Sequence, residues 1–464
     1  MNAYNLILDT DSYKASHWLQ YPPGTEGLFS YIESRGGDKD KTLFFGLQMY
    51  LKEYLSKPIT QAMIDEAEAF FTAHGEPFNR EGWEYILKRH NGYLPIRIKA
   101  VPEGSIVPVR NVLVTVESTD PVVFWLPTYI ETALLRAVWY PTTVATNSWF
   151  VKQVIRKYLE ETADDISSLP FKLHDFGARG VSSRESAAIG GAAHLVNFMG
   201  SDTISGTLAA KAYYNEPMAA YSVPAAEHSS MTAWGRLGEE DAYRNMLVQF
   251  GKPGAIVSVV SDTYDIYHAV DHIWGTALKE EVIQSGAMLV IRPDSGDPSA
   301  VVLRIAQLVE ARFGADINRK DYKVLKHVRI LQGDGVNEKS IEAVLANLKE
   351  NGYSAENAVF GMGGALLQQL NRDTQKFAMK SSAAKINGVW QEIYKDPVTD
   401  TGKRSKRGKL TLVRHQTTGE YKTSVYPIPK NGPNSQEVLI PVFENGNILK
   451  EWTFGEVRQT ALNA

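Results

Sequence analysis

The chain has 464 residues, of which 44% are hydrophobic and 22% are charged, a composition typical of a globular protein with a large core. Its net charge of −4 argues against a general nucleic-acid binder, and the absence of cysteine excludes disulfides, thiolate nucleophiles and Cys-bound zinc. No apolar run approaches the roughly 18 residues of a membrane span, and the first residues lack the basic segment of a signal peptide. We therefore expect a cytoplasmic protein.

The first third of the chain predicts helices and antiparallel strands. Two amphipathic helices are expected near residues 47–55 and 61–72. The segment 94–117 alternates Ile and Val around Pro and Gly, which indicates an antiparallel β region. Residues 122–159 are expected to be mainly helical, with interruptions at Pro127 and Pro141 because proline lacks the N–H that a helix interior uses.

From about residue 171 short apolar runs alternate with helical patterns. Seven such units in about two hundred residues predict an irregular βα barrel of about seven parallel strands. The clearest strand is 287–291, which is apolar throughout, and Pro298 then opens a helix that Asp297 is placed to cap. The strand candidates end near Phe176, Thr203, Val223, Thr263, Asp294, Gly335 and Gly364.

After about residue 375 this alternation stops and strand patterns return. We expect the late strands to pair with the N-terminal β region, so that both ends of the chain build one discontinuous α+β domain with an antiparallel sheet. The predicted organisation is an N-terminal part of that domain over 1–150, a βα-barrel domain over 151–375, and a β-rich C-terminal part over 376–464.

Charged side chains collect where predicted barrel strands end. Arg292 and Asp294 follow the apolar strand at once, and the carboxyl ends of parallel strands carry the functional groups in α/β folds. A single Asp at such a position is more often a helix cap. Because seven strand ends carry Asp, His, Arg or glycine-rich turns, the sequence predicts a shared pocket.

Two glycine-rich turns, Gly333-Asp334-Gly335 and Gly361-Met362-Gly363-Gly364, each lie between a strand and a helix. Glycine lets the backbone approach a ligand, and N–H groups at a helix start bind anions. Either turn alone is as well explained by a tight connection. Two in succession indicate a phosphate site, and Asp334 suits a sugar diol because a carboxylate accepts two hydroxyl hydrogen bonds.

Other side chains near these ends suit a flat, anionic ligand. Phe176 can stack on a ring, with a core position as the alternative, and Arg179 can bind phosphate or carboxylate in a fork, with a surface ion pair as the alternative. His228, beside Glu227, is either a structural hydrogen-bonder or an acceptor of a proton or phosphoryl group. The basic run 403–409 is either a solvated loop or a binder of polyphosphate.

Common phosphate and metal motifs are missing from the sequence. It contains no Gly-x-x-x-x-Gly-Lys-Ser/Thr loop, no Gly-x-Gly-x-x-Gly and no His-Glu-x-x-His. Phosphates would therefore be bound without a P-loop. Any metal is expected to be Mg²⁺ on carboxylates and phosphates rather than zinc.

Six long motifs occur along the chain, namely Asp11-Ser12-Tyr13-Lys14, Lys172-Leu173-His174-Asp175-Phe176-Gly177-Ala178-Arg179-Gly180, Ser222-Val223-Pro224-Ala225-Ala226-Glu227-His228-Ser229, Val260-Ser261-Asp262, Ile291-Arg292-Pro293-Asp294-Ser295-Gly296 and Gln332-Gly333-Asp334-Gly335. Together these motifs resemble the nicotinamide phosphoribosyltransferase family, type II phosphoribosyltransferases related to nicotinate phosphoribosyltransferase. The resemblance implies transfer of the phosphoribosyl group of 5-phosphoribosyl 1-pyrophosphate to nicotinamide, giving nicotinamide mononucleotide and pyrophosphate. It also implies Mg²⁺, a homodimer with shared active sites, and ATP hydrolysis through a phosphohistidine.

The resemblance implies how the base would be bound. Phe176 and the partner subunit's Tyr13 would enclose the pyridine ring. Asp202 would accept the carboxamide N–H, and Arg292 would face the same end of the ring. A carboxylate at Asp202 welcomes an amide donor and repels the carboxylate of nicotinate, which favours nicotinamide.

The resemblance also implies residues for phosphate chemistry. His228 would be the phosphorylated histidine, with Glu227 beside it and Asp262 nearby. The ribose 5-phosphate would be held by Arg179, Asp294, Gly333, Asp334, Gly363 and Gly364. Pyrophosphate or the phosphates of ATP would be held by Arg35, Arg372, Lys380, Lys395 and Lys403.

Three alternatives stay open from the sequence. The nearest is nicotinate phosphoribosyltransferase, a sister enzyme with the same fold. A barrel glycosidase would use paired carboxylates and leave the glycine turns without a role. A non-catalytic sensor or secreted signalling protein would bind a phosphoribosyl ligand without releasing pyrophosphate.

Overall fold

A computed structural model describes residues 4–399, 404–427 and 434–463. The chain forms two compact units. Unit 1 consists of Met1–Thr146, Ala212–Glu216 and Leu370–Ala464, and unit 2 consists of Asn147–Lys211 and Pro217–Gln369. In the described part of the chain no helix is long and apolar enough to cross a membrane.

Strands of the described residues reach a length of 10 residues in unit 1 and of 5 residues in unit 2. They are β1 (Thr25–Ser34), β2 (Lys41–Leu43), β3 (Ile96–Ala100), β4 (Ile106–Pro108), β5 (Val112–Ser118), β6 (Leu173–Asp175), β7 (Gly200–Ser201), β8 (Ile256–Val260), β9 (Met288–Arg292), β10 (Ala315–Ile317), β11 (Lys323–Leu325), β12 (Val328–Gln332), β13 (Ala358–Met362), β14 (Phe377–Ile386), β15 (Val389–Glu392), β16 (Leu410–His415), β17 (Tyr421–Val425), β18 (Ser435–Glu437), β19 (Ile440–Glu444) and β20 (Asn447–Ile448).

The α-helices lie between these strands, and π-helical turns over Leu51–Leu55 and Ala269–Ala277 extend two of them. They are α1 (Leu47–Tyr50), α2 (Gln61–His74), α3 (Arg80–Arg89), α4 (Leu126–Tyr129), α5 (Glu131–Thr162), α6 (Arg184–Leu195), α7 (Ile204–Tyr214), α8 (His228–Thr232), α9 (Glu239–Phe250), α10 (Ile266–His268), α11 (Lys279–Ser285), α12 (Pro298–Phe313), α13 (Glu338–Glu350), α14 (Gly364–Leu367) and α15 (Phe454–Leu462).

Unit 1 is built on an antiparallel sheet with the order β15-β14-β1-β5-β3-β19-β20. The N-terminal strands β1 and β3 pair with the late strands β14 and β19, so the chain returns to its own beginning. Strand β1, which pairs with β14 on one side and β5 on the other, is almost wholly buried. The antiparallel sheet predicted for the two ends of the chain is therefore confirmed.

A buried carboxylate ties unit 1 together beside this sheet. Glu103 accepts hydrogen bonds from Gly46 N at 3.1 Å, Gln48 N at 2.8 Å and the hydroxyl of Tyr214 at 2.6 Å. Burial raises the pKa of Glu103, while these donors oppose the rise. Tyr214 also stacks on Phe45 at 5.1 Å. These contacts explain why the end of α7, which the predicted boundaries assign to the barrel part, belongs to unit 1.

Unit 2 contains a parallel half-barrel sheet of six strands in the order β7-β6-β13-β12-β9-β8. Every pair of neighbours is parallel. Parallel neighbours need crossover connections, and helices such as α6 and α13 provide them. The mixed α/β class is confirmed, and the carboxyl ends of these six strands meet at one edge.

The predicted seventh strand near Tyr221–Val223 is not formed as a strand. Tyr221 makes a single parallel bridge to Gly200 at one edge of the sheet, and Ala225 makes another to Ser258 at the other edge. Pro224 has no N–H to donate to a ladder, which limits the pairing to isolated bridges. The segment nevertheless joins both edge strands of the half-barrel.

Helix boundaries differ from the predictions at two places. Helix α5 runs through Pro141 without a break, because the buried side chains of Val138 and Val144 keep this stretch packed on either side of the proline. The sequence Ser182-Ser183-Arg184-Glu185 predicts a capping box that begins at Ser182, whereas in the structure Ser183 caps α6 by accepting Ser186 N at 3.1 Å. The predicted cap of α12 is confirmed, since Asp297 accepts the N–H of the third helical residue at 2.9 Å.

Candidate active site

A cavity of about 580 Å³ lies within unit 2 against one face of the half-barrel sheet. Alternate residues of β9, namely Met288, Val290 and Arg292, line it, as expected when successive side chains of a strand point to opposite faces. Phe176 and Asp202 line the cavity at the carboxyl ends of their strands. Three of the predicted site residues, Phe176, Asp202 and Arg292, therefore line one cavity, whereas His228, Asp262 and Asp294 are not among its lining residues.

A buried lysine closes the end of the cavity where the strands begin. Lys172 donates to the carbonyl oxygens of Glu356 at 2.8 Å and Ala358 at 3.1 Å. Burial and, to a smaller extent, the nearby positive charge of Arg329 together lower the pKa of Lys172 to about 7. The cavity thus has a basic floor, whereas its opposite end carries the Asp202 carboxylate.

Phe176 enters the cavity because Gly361 leaves room for its ring. A Cβ atom on Gly361 would lie 1.9 Å from Cε2 of Phe176. The N–H of Phe176 donates to the carbonyl oxygen of Met362 at 3.0 Å, which anchors the backbone at this point. The sequence interpretation assigned Gly361 to an anion-binding turn. Its clearest contribution is space for an aromatic side chain.

Asp202 lies at the cavity rim after β7. Its carboxylate accepts a hydrogen bond from the hydroxyl of Ser222. His174 lines the same cavity, and burial lowers the pKa of its imidazole although Asp202 acts to raise it. A neutral imidazole beside one carboxylate leaves a negative rim, which suits a ligand with N–H donors.

His228 lies among three oxygen-bearing side chains. Its Nε2 atom is 3.7 Å from Oδ1 of Asp262 and 3.6 Å from Oδ2 of Asp294, and its Nδ1 atom is 3.4 Å from the hydroxyl of Thr263. The imidazole is 46% exposed, whereas the Asp262 side chain is only 4% exposed. The sequence interpretation named Thr263 only as the end of a strand candidate and gave it no role in the site. The arrangement presents a reachable nitrogen between two carboxylates.

Asp262 is oriented through one of its two oxygens. Oδ2 accepts Asp294 N at 2.9 Å and the hydroxyl of Ser295 at 2.6 Å. Oδ1 is buried and has no hydrogen-bond partner among the described residues. Buried acceptors are normally paired, so this oxygen marks a position for a proton or a cation. Ser295 was visible in the sequence only as part of a strand-end motif.

Glu227 acts on the backbone rather than on the imidazole. It precedes α8, its carboxylate accepts a hydrogen bond from the hydroxyl of Ser229, and its N–H donates to Ser230 Oγ at 3.3 Å. These bonds begin the short helix whose first residue is His228. Glu227 therefore supports the position of the histidine, while Asp262 and Asp294 face it.

The predicted phosphate-binding turns lie at the same edge of the sheet. A Cβ atom on Gly333 would lie 3.3 Å from Oδ1 of Asp294, so this turn approaches the carboxylate closely. A Cβ atom on Gly180 would lie 3.8 Å from Cα of Gly364, which brings the Arg179 turn to the turn after β13. The remaining predicted members of these two turns are Gly363, which is partly exposed, and Asp334, which is exposed.

A cationic cluster occurs within unit 1. Burial lowers the pKa of Lys380, and the positive charges of Arg35, Lys14 and Arg372 lower it further, against the opposing effect of Glu131. Each of these three cations also has a carboxylate partner, and the distances are 2.8 Å for Lys14–Glu131, 3.2 Å for Arg35–Glu33 and 3.3 Å for Arg372–Asp373. The positive charge of the cluster is therefore partly compensated. The other predicted unit 1 residues are Tyr13, whose side chain is exposed, Lys395, also exposed, and Lys403, which lies outside the described residues.

The described part of the basic run 403–409 is paired with carboxylates. Arg404 lies 2.6 Å from Asp396, and Lys409 lies 2.6 Å from Glu117 and 4.5 Å from the ring centroid of Trp390. Two further pairs complete the pattern, Lys406 with Glu33 and Arg407 with Glu392. These ion pairs favour a structural surface loop over a polyphosphate binder for residues 404–409.

Carboxylates for a divalent metal are few at this edge. Within 4–399, 404–427 and 434–463, no group of three or more His, Asp or Glu side chains is arranged to hold a metal ion. Asp262 and Asp294 are the two carboxylates beside His228. Two carboxylates fit Mg²⁺ that keeps substrate phosphates and water as its other ligands.

Comparisons with known proteins match nearly the whole chain. A model of the nicotinate phosphoribosyltransferase family matches residues 171–446, and a model of the nicotinamide phosphoribosyltransferase N-terminal domain matches residues 5–98. A nicotinamide phosphoribosyltransferase of Xanthomonas campestris pv. campestris is 60% identical over 459 residues, covering 98% of each chain. One of Acinetobacter baylyi is 33% identical over 99% of this chain and 97% of its own.

A solved structure shares the fold. The crystal structure of nicotinate-nucleotide pyrophosphorylase from Pyrococcus furiosus superimposes with a TM-score of 0.63 over 100% of this chain and 96% of its own. Its sequence identity is 16%, so the likeness concerns the arrangement of helices and strands.

We expect Gly361→Ala to destabilise unit 2, because the added methyl group would collide with the ring of Phe176. Overpacking of this kind costs roughly 1–3 kcal/mol in the free energy of unfolding. Gly364→Ala is the matched control, since the nearest atom to its added Cβ is 3.8 Å away. Urea unfolding of both variants measures the difference, and equal stabilities would contradict the packing assigned to Gly361.

Proposed function

Because this chain belongs to the nicotinamide phosphoribosyltransferases of the nicotinate phosphoribosyltransferase family, we propose that it makes nicotinamide mononucleotide for NAD salvage. The substrates are nicotinamide and 5-phosphoribosyl 1-pyrophosphate, and the products are nicotinamide mononucleotide and pyrophosphate. The single observation that carries the proposal is the cavity mouth, where the ring of Phe176 and the carboxylate of Asp202 lie on the wall of one pocket.

The proposed base site uses stacking and one charge. Phe176 covers one face of the pyridine, and the partner subunit's Tyr13 covers the other in the homodimer that we propose. Asp202, already an acceptor for the Ser222 hydroxyl, accepts the carboxamide N–H. Arg292 lines the same cavity and faces the substituent end of the ring. A carboxylate at this position disfavours nicotinate by charge repulsion.

The reaction joins the base to the sugar. The pyridine nitrogen donates its lone pair to the anomeric carbon, so a C–N bond forms while the C–O bond to pyrophosphate breaks. The transition state resembles an oxocarbenium ion, and catalysis depends on in-line positioning and on offsetting charge at the leaving group. Asp334 holds the ribose hydroxyls in this proposal, and the ribose 5-phosphate is held by Arg179, Asp294, Gly333, Gly363 and Gly364.

His228 is the proposed acceptor of a phosphoryl group from ATP. An imidazole nitrogen attacks the γ-phosphorus, so an N–P bond forms while the P–O bond to ADP breaks, and water later cleaves the N–P bond. The carboxylates of Asp262 and Asp294, 3.7 Å and 3.6 Å from Nε2, orient the imidazole and stabilise positive charge on it. They are also the residues that would hold Mg²⁺, which neutralises phosphate charge when bound.

The leaving group needs cations. The cluster in unit 1 supplies Arg35, Arg372 and Lys380, and burial together with the neighbouring positive charges lowers the pKa of Lys380. The positive charges in this cluster repel one another. Binding of a negatively charged polyphosphate would relieve that repulsion and is therefore favourable. Lys395 and Lys403 are proposed as further phosphate contacts.

The activity itself is tested by incubating the protein with nicotinamide, 5-phosphoribosyl 1-pyrophosphate and Mg²⁺, with and without ATP, and measuring nicotinamide mononucleotide and pyrophosphate. We expect product in both reactions and more with ATP. Preferential use of nicotinate would favour the sister enzyme, and tight ligand binding without pyrophosphate release would indicate a sensor. Sugar cleavage without phosphate dependence would indicate a glycosidase.

Asp202→Asn should reduce the preference for nicotinamide over nicotinate by roughly tenfold, because the amide neither repels a carboxylate nor accepts as strongly as a carboxylate. The measurement is kcat/KM for each base at saturating 5-phosphoribosyl 1-pyrophosphate. Asp334→Asn is the control, since this carboxylate is assigned to the ribose and its loss should leave the base preference unchanged. An unaltered preference in Asp202→Asn would refute the role of Asp202.

His228→Ala should abolish ATP hydrolysis and acid-labile phosphorylation while leaving ATP-independent synthesis of nicotinamide mononucleotide, because the acceptor nitrogen is lost but the base site stays. Radiolabelled ATP followed by acid treatment measures the phosphoenzyme. His272→Ala, at an exposed histidine of unit 2, is the matched control and should keep phosphorylation. Phosphorylation retained by His228→Ala would show that another residue is the acceptor.

A further inference from the structure

Asp175 ends β6 and is fully buried. Its two neighbours, His174 and Phe176, line the cavity. Asp175 points to the opposite side of the strand end, and in the part of the chain that the structure describes it does not line the cavity. A carboxylate at this position cannot contact a ligand in the cavity. Its burial without a basic partner therefore requires another explanation.

The carboxylate closes the turn that presents Phe176. Oδ1 of Asp175 accepts the N–H of Gly177 at 2.7 Å, and an aspartate that binds the backbone two residues further on forms a compact Asx turn. The residue enclosed by this turn is Phe176. Since Phe176 N also donates to Met362 O at 3.0 Å, the backbone on both sides of the aromatic ring is held.

The backbone of the same residue holds the carboxylate at the cavity rim. The carbonyl oxygen of Asp175 accepts the N–H of Asp202 at 3.0 Å, continuing the pairing in which Asp175 lies opposite Ser201. The side chain of Asp175 therefore binds the Phe176 turn while its carbonyl binds Asp202. A change in its position would alter the distance between ring face and rim carboxylate.

We propose that Asp175 is a positioning residue for pyridine recognition, which holds the ring-stacking Phe176 and the carboxamide-binding Asp202 in one geometry. The inference rests on the proposed function, because it takes these two residues as the base site. It assigns no contact with 5-phosphoribosyl 1-pyrophosphate to Asp175. Loss of the Asp175 carboxylate should therefore affect the two substrates differently.

The test compares KM for each substrate in Asp175→Ala, Asp175→Ser and Asp175→Asn. The alanine variant loses the acceptor for Gly177 N, and we expect KM for nicotinamide to rise about tenfold, the effect of one hydrogen bond, while KM for 5-phosphoribosyl 1-pyrophosphate changes less than about twofold. The serine hydroxyl closes such turns more weakly and should give an intermediate rise. The asparagine oxygen keeps the acceptor and should restore nearly the original KM.

Asn79→Ala is the matched control. Asn79 accepts Gly82 N at 3.0 Å at the start of α3 in unit 1, so its loss removes a comparable bond between a side chain and the backbone. We expect lower stability with both KM values unchanged. KM does not depend on the folded fraction of the enzyme, so a loss of stability alone leaves it unchanged. If the alanine variant does not fold, the KM values of the serine variant test the positioning role.

Wild-type turnover separates the two proposals. If the wild type forms nicotinamide mononucleotide but the nicotinamide KM of the variants is unchanged, or both KM values rise together, the positioning role is wrong and the activity stands. If the wild type does not turn over, nicotinamide binding by calorimetry replaces KM. A weakened binding in Asp175→Ala then still supports the positioning role, and no binding by the wild type would overturn both proposals.

Discussion

Parallel pairing of β6 with β13 determines where the groups of the candidate site lie. The register places His174 opposite Gly361 and Asp175 opposite Met362. One consequence is that Gly361, which has no side chain, lies against the ring of Phe176. A Cβ atom on Gly361 would be 1.9 Å from the ring. A slip of one residue would exchange the two faces of β6 and turn Phe176 away from the cavity. The aromatic wall of the pocket therefore depends on backbone hydrogen bonds between two short strands.

At the carboxyl edge of the parallel sheet, two groups of side chains suit different kinds of chemistry. Near β6 and β7 the pocket offers a ring, a neutral imidazole and the exposed Asp202, which suit a flat molecule with N–H donors. Near β8 and β9, beyond the residues that line the cavity, His228 lies between Asp262 and Asp294, which suits phosphoryl and proton chemistry. These two pairs of strands lie at opposite ends of the six-stranded order, and the segment 221–225 connects them because it bridges to both edge strands. The fold thus allows a base and a phosphorylated sugar to be bound side by side, which a transfer between them requires.

Local features of the site were predictable from the sequence, whereas features that depend on distant partners were not. The apolar strand ending at Arg292 and the Asp297 cap were predicted because each depends on neighbouring residues. The role of Gly361 depends on the register with β6, which lies almost two hundred residues earlier. In the same way, the sequence showed no carboxylate partner for Lys409 of the basic run, because Glu117 is remote from it in sequence. Pro224 shows a third case, since one missing N–H reduced an expected strand to isolated bridges.

Buried acids explain why the two sides of the site keep their geometry. Asp262 uses one oxygen to bind Asp294 N and Ser295, and its other oxygen stays open toward His228. Asp175 binds Gly177 N, and burial raises the pKa of its carboxyl to about 6. Each carboxylate loses its contact with water when it is buried to hold a backbone turn. This desolvation by itself lowers the free energy of unfolding. Such a cost is expected where orientation of neighbouring side chains matters for function, and both acids lie at the ends of strands that carry the proposed substrate contacts.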